Sequence, residues 1–194
     1  MLTKKKRKKA SGMKKGGPFE REMATELSYW WTDGERDDTI WRTQGSGGRA
    51  KTRSKTGLET KYQYGDLSPT DPIAIPLFDY FLFECKRGYT KDIDVLSILD
   101  NLPTRRPTII LDWWREAIID KELGNRKEII LLIKRDSHQT VTTISRNLFS
   151  QLELIGGAYS YPYIECRYFK YDLVFCIFSD FFTYFSPEDL KLLS

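Results

Sequence analysis

A chain of 194 residues with 40% hydrophobic and 14% aromatic side chains carries enough apolar surface for a sizeable core, which excludes a wholly disordered polypeptide. The formal charge of +4 is small, and a single histidine with three scattered cysteines leaves no imidazole triad, His-rich metal site or zinc cluster to build. Acid–base or metal chemistry must then rest on carboxylates and lysine, in a protein expected to be soluble, cytoplasmic and free of disulfides, since no secretory leader or membrane-length apolar run is visible.

Residues 1–16 gather Lys and Arg with no acid, and are expected to form a basic disordered tail that solubilises the chain, touches phosphates or serves as an address. Residues 17–194 read as one domain, with a core over 17–135 and an aromatic, strand-rich extension over 136–194. Phe19, Met23, Leu27 and Trp30/Trp31 recur at helical spacing, predicting an amphipathic helix with Pro18 at its start and Glu20 at the edge of its apolar stripe. A short strand is predicted at Thr39–Arg42, followed over 44–57 by QGSGGRAKTRSKTG, a glycine-rich cationic loop. Ile73-Ala74-Ile75 suggests another short strand. Next comes FDYFLFECKRGY, residues 78–89, in which an apolar strand runs directly into charge.

Helices are expected at DIDVLSILDN (92–101) and LDWWREAIIDKEL (111–123), the latter stopped by Gly124-Asn125. KEIILLIKRD (127–136) is an apolar strand with charged ends. TVTTISRNLF (140–149) and the aromatic run 163–185 suggest further strands, and Ser186-Pro187-Glu188-Asp189 opens a last short helix. Helix, strands, then alternation of the two makes α/β or α+β with a mixed sheet the natural class.

Strand side chains alternate faces, so Glu84 and Lys86 project together while Phe83 and Cys85 point the other way. A Glu and a Lys so placed can share one cation-bound water, the carboxylate holding a divalent ion and the ammonium offsetting charge on a phosphate. Mg²⁺ needs only one or two protein carboxylates besides the substrate. A second acid is expected from a neighbouring turn: Asp66 in YGDLS is the first choice and Asp71 in TDP the alternative. Taken alone, Glu-x-Lys is an ordinary solvated strand rim. The Trp30-Trp31 and Trp113-Trp114 pairs read as core, His138 as a surface residue, and the C-terminal aromatics as sheet packing or a dimer face.

The order of parts raises the pattern above a rim. FERE (19–22), WRTQGSGG (41–48), Gly65-Asp66 and FECK (83–86) together resemble the PD-(D/E)xK nuclease superfamily, most of all its Holliday-junction-resolvase branch with its phage-encoded relatives. The resemblance covers residues 16 to 90. It implies a restriction-endonuclease-like fold, a mixed central sheet flanked by helices. It also implies a DNA endonuclease dependent on Mg²⁺, with Mn²⁺ as substitute, that acts on branched or duplex DNA as a homodimer and leaves a 5′-phosphate.

Carried over by position, Asp66 and Glu84 would ligate the metal together with the backbone carbonyl of Cys85. Lys86 would be the catalytic lysine, Glu20 an outer-shell or second-metal carboxylate, and Ser46 and Gly47 would lie close to the scissile phosphate. Arg42, Arg49, Lys51, Arg53 and Lys55 would then neutralise flanking phosphates, with Arg87 joining them or pairing with an acid. One departure stands out: the motif's leading Pro-Asp is Gly65-Asp66 here, while a genuine Asp-Pro occurs only at Asp71-Pro72. Two other readings compete, a non-catalytic nucleic-acid-binding or packaging accessory on the same scaffold and a sequence-specific restriction endonuclease.

Overall fold

Five strands form the central sheet of the computed structural model, which describes residues 13–43, 62–88, 108–168 and 170–193. In spatial order they are β3 (Phe81–Arg87), β4 (Glu128–Lys134), β5 (Thr140–Ser145), β7 (Tyr171–Ile177) and β6 (Tyr163–Tyr168). Only β3 and β4 are parallel; every other pair is antiparallel, so the sheet is mixed. The β1 (Ile40–Arg42) and β2 (Leu67–Pro69) strands make a separate antiparallel ribbon.

Helices cover both faces. The long α1 (Met13–Trp31), α2 (Ile75–Tyr80), α4 (Arg146–Gly156), α5 (Phe178–Tyr184) and α6 (Pro187–Lys191) share one core with the inward residues of the sheet, among them Phe83, Cys85, Ile130, Leu132 and Val174. On the opposite face α3 (Ile109–Leu123) packs Ile110, Trp113, Trp114 and Ala117 against Leu82, Ile129, Leu131 and Ile133. Successive β3 and β4 residues thus feed opposite cores, as strand alternation requires, and their near-continuous apolar runs are those of strands buried on both sides. The architecture is α+β with a mixed sheet flanked by helices, the expected class.

Several local expectations need correction. The first helix begins at Met13 and contains Pro18, rather than starting there, so residues expected at the end of the basic tail are already helical. Ile73-Ala74-Ile75 is not a strand: Asp71 accepts the Ile73 N–H at 2.9 Å and opens a 3-10 turn over Pro72–Ala74, which runs on into α2. Asp71 as N-cap and prolines at 72 and 76 favour helix starts, and proline has no N–H to give a ladder. Because α2 runs through Tyr80, β3 starts at Phe81.

The strand expected over 140–149 ends at Ser145, whose hydroxyl accepts the Leu148 N–H and caps α4. The final third of the aromatic run, expected as strand, is α5, in which Phe181 and Phe182 are buried. The α6 helix does carry the expected capping box: Ser186 and Asp189 satisfy each other's backbone N–H groups. Trp31, Trp113 and Trp114 are core residues and His138 is exposed in the β4–β5 turn. The expected helix at 92–101 and the cationic loop at 44–57 lie outside the described residues.

Candidate active site

The outer edge of β3 is where backbone and acids meet. The segment Gly65-Asp66 runs along that edge: the Asp66 N–H donates to the Phe83 carbonyl at 2.8 Å, and the Cys85 N–H donates to Asp66 Oδ2 at 2.8 Å. On its far side the Asp66 carbonyl accepts the Thr43 N–H at 2.8 Å, tying the segment to the end of β1. Three backbone or carboxylate bonds therefore fix Asp66 one residue's width from Glu84.

Gly65 makes this approach feasible. Its φ is +81°, and a Cβ at this position would stand 2.6 Å from the Phe83 carbonyl oxygen. Proline, with φ locked near −65°, cannot adopt that conformation. The departure from Pro-Asp thus has a steric cause in this chain, and the residue after it occupies the edge of the strand as an acid of that motif would.

Glu84 and Lys86 share the face of β3 that looks toward α3. Lys86 Nζ donates to Glu84 Oε1 at 2.6 Å, and Glu84 is 8% exposed. Burial, reinforced by the nearby Asp66 charge and opposed by the Lys86 ammonium, pushes the Glu84 carboxyl up to about 8. Burial acts to lower the Lys86 ammonium, but the Glu84 carboxylate outweighs it and the group is raised. Glu20 reaches the same edge from α1, on the other face, half-buried and raised by burial and by Asp66. Arg42 lies 3.8 Å from Glu20, and its guanidinium occupies the space that a side chain at Gly17 would need.

Glu20, Asp66, Glu84 and Lys86 are thereby brought within electrostatic reach of one another, across 66 positions of chain. Asp71 is not among them. Its carboxylate caps the 3-10 turn and accepts from Arg36 at 2.7 Å, which together hold it below the usual carboxylate range. The Cys85 thiol is buried in the first core and pushed well up by desolvation and by the nearby Asp66, Glu84 and Glu20, while its backbone N–H donates to Asp66. Arg87 alternates to the α1 face and lies 3.7 Å from both Glu22 and Asp136, the acid-pairing arrangement expected as one alternative. Ser46, Gly47, Arg49, Lys51, Arg53 and Lys55 lie outside the described residues.

Sequence reasoning missed the contribution of α3. Glu116 Oε2 stands 4.0 Å from Lys86 Nζ, and buried Asp120, one turn on, adds to the field that raises Glu84. The signal was present as acids four apart on one helix, but the apolar stripe around them marked only a core helix.

The donor set is all oxygen. Among the described residues no three His, Cys, Asp or Glu side chains group as a closed metal cage. Two carboxylates at a strand edge, one of them buried with a raised affinity for positive charge, instead suit a hard cation that keeps most of its waters, as Mg²⁺ does. Asp66, Glu84 and the Cys85 carbonyl are the groups that would hold it.

No helix among the described residues is long and apolar enough to cross a membrane. No curated protein and no solved structure matches the chain. A family model does, described as "Phage putative PDDEXK endonuclease", and it spans residues 11–192, nearly the full length. The match takes in all four candidate site residues as well as the C-terminal half, which lies beyond the resemblance over residues 16 to 90. The chain belongs to this phage PD-(D/E)xK endonuclease family.

Proposed function

We propose that the protein is a Mg²⁺-dependent DNA endonuclease, with Mn²⁺ as a substitute, selective for branched DNA in the manner of a Holliday-junction resolvase and active as a homodimer. One observation carries the reading: a buried Glu84–Lys86 pair at 2.6 Å beside an Asp66 that is fastened to the same strand by its backbone and its carboxylate. Charge burial of this kind costs the fold stability, and groups so perturbed cluster at functional sites.

The cation, when bound, would supply an activated water and neutralise charge on the phosphate. The chain's own residues do the rest. Asp66 and Glu84 define where the cation sits, and rigid β3 keeps them apart by a fixed distance. Lys86 presents a permanent ammonium to the attacked phosphate, within a setting where water is largely excluded and its field is strong. Glu20 adds a carboxylate from the opposite face, and Arg42 holds it in place. The cationic residues Arg49, Lys51, Arg53 and Lys55, with Ser46 and Gly47, serve phosphates on either side of the cut, which makes binding salt-sensitive and insensitive to sequence.

The test is cleavage of four-way junction, flap and linear duplex DNA with Mg²⁺, with Mn²⁺ and with chelator. Wild-type protein is expected to cut the junction fastest and to stop when the metal is removed. Glu84→Ala and Lys86→Ala each lower the rate by about 10²- to 10³-fold, the loss typical of one electrostatic group at a reacting centre. Undiminished cutting by Glu84→Ala refutes the assignment, and products ending at one recurrent sequence replace junction selectivity with restriction-type specificity.

A further inference from the structure

Lys86 cannot serve the site while its ammonium occupies Glu84. Its Nζ sits 2.6 Å from Glu84 Oε1, on the carboxylate that the proposed function needs for the cation. A divalent cation on the Glu84 carboxylate, even at the other oxygen, repels an ammonium this close and drives it toward another acid. Among the described residues, one other acid lies within ion-pair distance of Lys86. That acid is Glu116, whose Oε2 lies 4.0 Å from the same Nζ, beyond hydrogen-bond length but within a side-chain rotation.

The surroundings favour such an exchange. The Lys86 side chain is 18% exposed, so it has little water to turn to, whereas Glu116 is 64% exposed and free to follow it. Glu116 stands on α3, a helix anchored by Ile110, Trp113, Trp114 and Ala117 in the core beneath it, so its Cα is fixed even though its carboxylate is not. Asp120, one turn further along the helix, is buried and adds to the field at Glu84.

We infer that Glu116 is a positioning residue that receives the Lys86 ammonium when a divalent cation takes Glu84, so that the lysine stays beside the reacting phosphate instead of competing for the metal site. The inference rests on the proposed metal-dependent function. Because Glu116 is exposed, the exchange is worth what a surface ion pair is worth.

The experiment is calorimetric binding of Ca²⁺, as a probe of the site that does not depend on turnover, to wild-type protein, Glu116→Gln, Lys86→Ala and the double variant. Glu116→Gln is expected to weaken Ca²⁺ binding by about twofold to fivefold, the size of an exposed pair. Lys86→Ala is expected to tighten it, because the competing ammonium is gone. In the Lys86→Ala background, Glu116→Gln then has no further effect, since there is no ammonium left to receive. An equal loss in both backgrounds means that Glu116 acts only as a distant negative charge, and overturns the inference; so does wild-type affinity in Glu116→Gln. Absence of Ca²⁺ and Mg²⁺ binding by the wild-type protein is a different result, one that removes the metal-dependent function itself.

Discussion

The two ends of the molecule solve opposite problems. At the C-terminal end, Phe149, Phe181 and Phe185 are fully buried, Tyr159 stacks on Phe185 with ring centroids 5.6 Å apart, and Ser186 and Asp189 close a reciprocal cap. Every element there lowers the free energy of the fold. At the β3 edge, Glu84 is almost as well buried, yet it is a carboxyl held beside Asp66 in a setting that raises it to about 8. The difference sets the β3 edge apart: a chain able to bury aromatics so completely also holds a buried acid there at a cost to the fold, as the proposed function requires.

Three changes sharpen the contrast. The largest effect is expected at the aromatic end: Phe185→Ala opens a cavity among Phe149, Tyr159 and Phe181, and should lower stability by about 3–5 kcal/mol in urea titration. Where the variant remains folded, Ca²⁺ affinity at the β3 edge should be unaltered, although Phe185 shares a core with Phe83 and Cys85; a parallel loss of affinity would show that this core couples the two regions.

The second change reverses the sign. The Glu84 carboxyl keeps its proton to a higher pH in the folded chain than the ordinary 4.5 of the unfolded one, so the folded state binds more protons between 4.5 and about 8. Stability therefore falls as pH rises across that window. Glu84→Gln removes the group that must ionise. Without divalent metal, the variant should match wild type near the low end of the window and exceed it above the high end by a few kcal/mol, a stabilisation accompanied by loss of cleavage. Equal stability of the two proteins across the whole pH range contradicts the strained state assigned to Glu84.

The smallest effect is expected at Asp71, the rival first acid. Its carboxylate serves Arg36 and the Ile73 N–H near the protein surface. Asp71→Ala should leave cleavage and Ca²⁺ affinity unchanged, while Asp66→Asn, which keeps an oxygen for the Cys85 N–H, should abolish both. If the outcomes were exchanged, Asp71 and not Asp66 would be the acid of the motif.

Much of this was legible in the amino-acid order because the physics involved is local. Strand alternation alone put Glu84 and Lys86 on one face and Phe83 and Cys85 on the other, and that is how the two cores receive them. Apolar spacing located α1 and α3, and Ser186-Pro187-Glu188-Asp189 announced its helix. Where propensity and pattern disagreed, the pattern misled. Aromatics at 178–184 read as strand but are helical, because burial of Phe181 and Phe182 against the first core outweighs β preference, and Ile73-Ala74-Ile75 yielded to its proline and aspartate neighbours.

What the sequence determined by itself is the inventory: one nearly histidine-free chain, a helix bearing Glu20, an apolar strand ending in Glu84-Cys85-Lys86, and two candidate first acids. Only the tertiary structure set those acids apart, with Asp66 beside Glu84 and Asp71 beside Arg36. That separation depends on a bond from the Cys85 N–H to Asp66, on a left-handed Gly65 that lets the chain approach β3, and on an Arg36 that draws Asp71 away. It also brought in Glu116 from a helix on the other face of the sheet. Such contacts join residues tens of positions apart, and spacing along the chain carries no record of them; they arise when the sheet and its two layers of helices close around it.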